Sequence, residues 1–95
     1  MTVRNIYEAE LEILETVTFY KERAGDIAAD FFNQFRKARE EIKAFPEFWK
    51  DVGQGYRRKL IGRYPFGIIY RIAGEEIHIV ALAHTSRDPD YWRGR

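Results

Sequence analysis

Between Ile27 and Phe45, apolar side chains recur at Ile27, Phe31, Phe35, Ala38, Ile42 and Phe45, at spacings of 4, 4, 3, 4 and 3. Only a helix places such a series on one face, and a stripe with three phenylalanines has to be buried. The chain is therefore committed to an amphipathic helix, about Ile27 to Ala44, lying on another apolar layer. Its remaining positions, Arg36, Lys37, Arg39, Glu40, Glu41 and Lys43, make a solvated face. The Arg36/Glu40 and Lys37/Glu41 pairs there add only about 0.2–0.5 kcal/mol each. Pro46 ends the helix, because it restricts Phe45 and has no amide hydrogen to donate.

Upstream, Tyr7, Leu11, Leu14 and Val17 recur at three and four, and Tyr20 extends the stripe. They predict a first helix from Tyr7 to Arg23 with that stripe as its inner face. Ala24-Gly25-Asp26 reads as a stop and restart, with Gly25 in a left-handed C′ conformation and Asp26 capping the next helix. A helical hairpin follows, preceded by a short strand at Thr2 to Ile6.

Past Pro46 the pattern changes. Glu47 to Gly55 is expected to be a loop, with Phe48 and Trp49 folded back over the core. Its Gly53-Gln54-Gly55 is not a nucleotide cradle, since a strand rather than a helix follows. Tyr56–Arg63, Gly67–Ala73 and Glu76–Ala83 are runs rich in Ile, Val, Leu and Tyr, which predict a three-stranded antiparallel meander with a tight hairpin at Gly74-Glu75. The expected fold is α+β, an N-terminal helical hairpin packed on a small twisted antiparallel sheet, which the first strand can join. Ninety-five residues suit a single domain, 1–95.

Strict alternation in the last strand puts Ile77, Ile79, Ala81 and Ala83 on one side and His78, Val80, Leu82 and His84 on the other. Both sides are mostly apolar, yet two helices can cover only one. The second face needs another cover, either a partner or the segment His84–Arg95. In that segment Asp88-Pro89 can cap and start one turn that ends at Gly94 and lays Tyr91 or Trp92 on the sheet.

Charge narrows the function. Sixteen basic residues against fifteen acidic ones leave a net charge of +1, low for a nucleic-acid coat. The two halves differ, however. Glu8, Glu10, Glu12, Glu15, Glu22, Asp26 and Asp30 make the first thirty residues acidic, whereas Arg57, Arg58, Lys59, Arg63, Arg71, Arg87, Arg93 and Arg95 make the second half basic. The basic half is the expected interaction surface. With no cysteine there is no thiol nucleophile or thiolate metal site, and a reducing cytoplasm is the expected location. No membrane span or signal peptide fits the acid-rich start. His78 and His84 lie about 20 Å apart along a strand, too far to share a metal ion. His84, Ser86 and Asp88 are too crowded in sequence for triad geometry. No metal and no cofactor are expected.

The sequence resembles the RelE/ParE superfamily of toxins from type II toxin-antitoxin, or plasmid stabilisation, modules. The resemblance rests on Tyr20, Phe45-Pro46, Arg57-Arg58, the run Arg63-Tyr64-Pro65-Phe66-Gly67-Ile68-Ile69-Tyr70-Arg71, and Ala83-His84 followed by Arg87, Pro89, Tyr91 and Trp92. It spans nearly the whole chain in order and looks like the ParE-like branch. It implies a toxin that halts growth until a cognate antitoxin wraps it in a hetero-oligomer. The implied target is DNA gyrase for the ParE-like branch, or ribosome-bound messenger RNA for a RelE-like endoribonuclease. A nuclease would need an acceptor for the 2′-hydroxyl proton, an acid for the leaving oxygen and cations at phosphorus. His84, Arg87 and Tyr91 are the candidate catalytic residues on that alternative. Arg57, Arg58, Arg63, Tyr70, Arg71 and Trp92 are the candidate partner-binding residues. The RelE-like catalytic sets are not cleanly matched, so a non-enzymatic toxin is the preferred expectation. A module that has lost toxicity and only binds its partner is a third.

Overall fold

A computed structural model describes residues 1–95. The elements run β1 (Thr2–Asn5), α1 (Tyr7–Arg23), α2 (Gly25–Ala44), β2 (Lys50–Gly53), β3 (Tyr56–Leu60), β4 (Phe66–Ala73) and β5 (Glu76–His84). The strands form one sheet in the order β1-β5-β4-β3-β2, and the helical hairpin packs on one of its faces. The two-layer α+β expectation holds. The meander is antiparallel, whereas β1 joins β5 in parallel, because the chain leaves β1 into the helices and returns to the sheet at its far edge.

The α2 stripe decides the core. Phe31, Phe35, Ala38 and Ile42 are buried against Ile68 and Tyr70 of β4 and Ile77, Ile79 and Leu82 of β5. Burying a side chain of the size of Phe31 stabilises the fold by roughly 1.5–3 kcal/mol. The stripe's two ends, Ile27 and Phe45, stay exposed.

Helix α1 is turned from the expected face. Ala9 and Ile13 are buried, with Val17 and Tyr20 packed beside them, while Tyr7, Leu11 and Leu14 point outward at 73%, 40% and 63% exposure. The register is set from outside the helix: the Ile6 amide donates to the Ile79 carbonyl (2.9 Å), so β1 fixes the rotation at which α1 starts. The helix break is also corrected. Gly25 is the first residue of α2 and does not have positive φ, and Asp26 makes no cap. Ala24 alone breaks the ladder, at φ −164° and ψ 102°, with its amide donating to the Tyr20 carbonyl at 2.7 Å.

The expected loop at Glu47–Gly55 contains β2. This short polar edge strand carries no alternation for a sequence reading to find, and Gly53, Gln54 and Gly55 turn it into β3 with φ of 94°, 57° and 84°. Trp49 does fold onto the core, but Phe48 is exposed. Gly74, at φ 63°, makes the tight β4–β5 hairpin as expected.

The strict alternation of β5 fails at a bulge. Ile79 pairs with Tyr70 and Ala81 with Ile69, which leaves Val80 unpaired. Ile77, Ile79 and Leu82 therefore face the helices, while Val80, Ala81 and Ala83 face the other way, together with Ile69 of β4. One extra residue exchanges the two faces of everything beyond it.

Candidate functional site

The second sheet face is covered by the chain's own segment 85–95. Three successive i,i+3 turns, Tyr91 to Asp88, Arg93 to Asp90 and Arg95 to Trp92, coil it over the sheet. Trp92, 3% exposed, sits on Ile69, Val80 and Ala81, with its ring edge-on to Tyr56 at 4.8 Å.

The segment is fastened through Glu12 of α1, whose side chain is 12% exposed. Its Oε2 accepts from the Tyr91 hydroxyl at 2.6 Å, and both oxygens accept from the Arg95 guanidinium at 2.8 and 3.2 Å. Oε1 also accepts from the Leu82 amide at 3.1 Å, while Arg95 donates to the Val80 carbonyl at 3.0 Å. These backbone groups are free because β1 runs out at the level of Ile79 and leaves that edge of the second half of β5 without a strand neighbour. A carboxylate and a guanidinium take the places a strand would fill. Burial, then the bond to Glu12, push the Tyr91 hydroxyl far above its ordinary pKa. Burial works against the charge on Arg95, but Glu12 outweighs it and raises that group.

The candidate catalytic residues are thus partly gathered and partly committed. The Arg87 guanidinium lies 3.7 Å over the Tyr91 ring and 3.7 Å from Glu12. His84 Nδ1 accepts from the Ser86 amide at 3.0 Å, which places the ring proton on Nε2, and the ring stands edge-on to Phe66. His78 pairs with Glu76 at 3.0 Å. No three ligand-type side chains converge anywhere in the chain.

The candidate partner-binding residues do not form one surface. Tyr70 is fully buried on the helix side, where its hydroxyl donates to the Pro46 carbonyl at 2.6 Å and burial pushes its pKa up to about 12. Tyr70 is thus corrected from surface to interior, while Trp92 lies on the sheet, as the turn expected at Asp88 to Gly94 allowed. Arg57 donates to the Trp49 carbonyl at 2.9 Å and Arg71 to the Arg95 carbonyl at 2.9 Å. Arg63 is exposed at the α2 end of the sheet, beside Asp26 and Asp30. Arg58 and one edge of Trp92, with His84 and Arg87, line an open cleft of about 240 Å³ between segment 85–95 and the uncovered part of the second face. Glu12, Arg93 and Arg95 are the residues a sequence reading misses. Glu12 is one of several acids on an acid-rich helix, and nothing local marks it as the one that turns inward.

The architecture is a helical hairpin on a five-stranded sheet. A structure described as the chromosomal ParDE TA system from P. aeruginosa superposes with a TM-score of 0.69 at 19% identity, covering 88% of this chain and 95% of that one. The family model for the ParE toxin of the type II toxin-antitoxin system, parDE, matches residues 8–89, and the chain belongs to that family. A search of curated proteins finds no match.

Proposed function

We propose that this ParE toxin acts without catalysis, by binding and inhibiting DNA gyrase in the cytoplasm, and that a cognate antitoxin silences it in a hetero-oligomer. The observation that carries the non-enzymatic reading is the commitment of Tyr91. Its hydroxyl is donated to Glu12 and its pKa is raised, so it is a poor acceptor for a 2′-hydroxyl proton. Arg87 is spent on the same tyrosine and the same glutamate. The antitoxin is supported by family membership and by the outward stripe Tyr7, Leu11 and Leu14 on α1, an apolar strip that nothing in the chain covers. Gyrase as target rests on the ParE-like resemblance.

The test is induced expression with two readouts. Growth arrest with altered plasmid supercoiling and intact transcripts is expected, together with inhibition of supercoiling by purified gyrase. Defined cuts in messenger RNA, abolished by His84→Ala or Tyr91→Phe, would replace this reading with the endoribonuclease.

A further inference from the structure

Six arginines are half-buried: Arg39, Arg57, Arg58, Arg71, Arg93 and Arg95. Five of them end on acceptors within the fold. Arg39 donates to Val3, Arg57 to Trp49, Arg71 to Arg95, Arg93 to Val52 and Asp90, and Arg95 to Glu12 and Val80. Arg58 alone has neither a hydrogen bond nor an ion pair. Its stem is nevertheless held. A Cβ on Gly67 of β4 would lie 3.0 and 3.1 Å from Arg58 Cγ and Cδ, so the stem rests directly on the bare glycine backbone. The guanidinium is thereby presented to the cleft between the sheet and segment 85–95. A guanidinium with no acceptor in the fold and a fixed stem is a fork of donors pre-organised for an oxyanion.

We infer that Arg58 is the anchor of a docking cleft for a single carboxylate, carried on an extended acidic-apolar segment of a partner protein. Charge complementarity selects this occupant over a nucleic acid. A phosphodiester strand presents one charge per nucleotide and needs a row of free cations. Here the neighbouring cations are already matched, Arg93 by Asp90 at 2.6 Å and Arg87 by Glu12, and Asp88 adds a negative charge to the rim. One free fork suits one carboxylate. Val52, Ala83 and Pro89 line the same cleft and give apolar footing to the residues that flank it. The inference rests on the antitoxin reading only for the origin of that segment; the chemistry of the cleft stands independently of the toxin's target.

The test is a nuclear magnetic resonance titration of the intact protein with three probes: a capped Leu-Glu-Leu tripeptide, its Leu-Gln-Leu counterpart and a short oligothymidylate. The Glu peptide is expected to shift the Arg58 Nε–H and Ala83 methyl signals saturably, and at least ten-fold more tightly than the Gln peptide. Arg58→Gln should abolish that preference and Arg58→Lys should weaken binding several-fold. Gly67→Ala, which keeps the charge but displaces the stem, should weaken it similarly; the unperturbed spectrum elsewhere reports that each variant is folded. Equal binding of the two peptides, an Arg58→Gln variant that binds as well as the parent, or an oligothymidylate that outcompetes the Glu peptide at these signals would each overturn the assignment. Gyrase inhibition is not read in this experiment, so the two proposals fail separately.

Discussion

Replacing Glu12 by alanine should be among the most damaging single substitutions in this protein, although the residue lies on a helix rich in exposed acids. Three donors lose their acceptor at once: the Tyr91 hydroxyl, the Leu82 amide and the Arg95 guanidinium. Breaking a buried ion pair by removing one partner costs about 3–5 kcal/mol, since a charge is left desolvated. An orphaned buried donor adds about 1–3 kcal/mol. The Arg95 side chain is 19% exposed and can recover some water, which holds the sum near the lower range, about 3–5 kcal/mol. That is a large part of the 5–15 kcal/mol typical of a small domain. At roughly 4–8 °C per kcal/mol, Tm should fall by at least about 12 °C. Arg95→Ala should cost less, about 1–2 kcal/mol, because Glu12 keeps the Tyr91 and Leu82 bonds. Urea denaturation of the variants measures the energies. Hydrogen exchange at the Leu82 amide, accelerated in Glu12→Ala and much less so in Arg95→Ala, localises them. A Glu12→Ala variant within about 1 kcal/mol of the parent would refute the role given to this carboxylate.

Alkaline pH should loosen the fold above about pH 10. Burial is the main cause that raises Tyr70 to about 12 and Tyr91 further, so both stay protonated when folded after they would ionise in the unfolded chain. Their contribution is complete below about pH 10 and is lost as pH rises through the folded values, at about 1.4 kcal/mol per pH unit for each. Denaturant midpoints at pH 8 and pH 11 should differ accordingly, and Tyr70→Phe should flatten the dependence; a midpoint unchanged at pH 11 would contradict it. Gly74→Ala meets no neighbour, yet φ of 63° should still cost about 1–2 kcal/mol through backbone strain alone, measurable by the same denaturation. An unchanged midpoint there would show that the hairpin can rearrange.

The α2 stripe and the strand runs were legible because periodicity is a local property: Phe31, Phe35 and Ile42 share a face whatever they meet. The end of α2 at Pro46 and the hairpin at Gly74 were legible for the same reason, since proline and glycine act on their own backbone. The α1 face was misread because two stripes compete within it. Tyr7, Leu11 and Leu14 carry more apolar surface, but Ala9, Ile13 and Val17 are the residues turned inward by the Ile6–Ile79 bond. No count within the helix can see that constraint.

By itself, then, the sequence determined the two helices, the meander, the apolar second face and the resemblance to a toxin family. All of these follow from short-range spacing or from motifs read in order. Tertiary structure decided which groups the candidate site has free. The early end of β1 and the inward turn of Glu12 depend on residues some seventy positions apart meeting in the fold, and the bulge at Val80 on how β5 pairs with β4. They commit Tyr91, Arg87 and Arg95 to holding the chain together. Arg58 keeps its guanidinium without a partner in the fold, its stem lying on a glycine of the neighbouring strand.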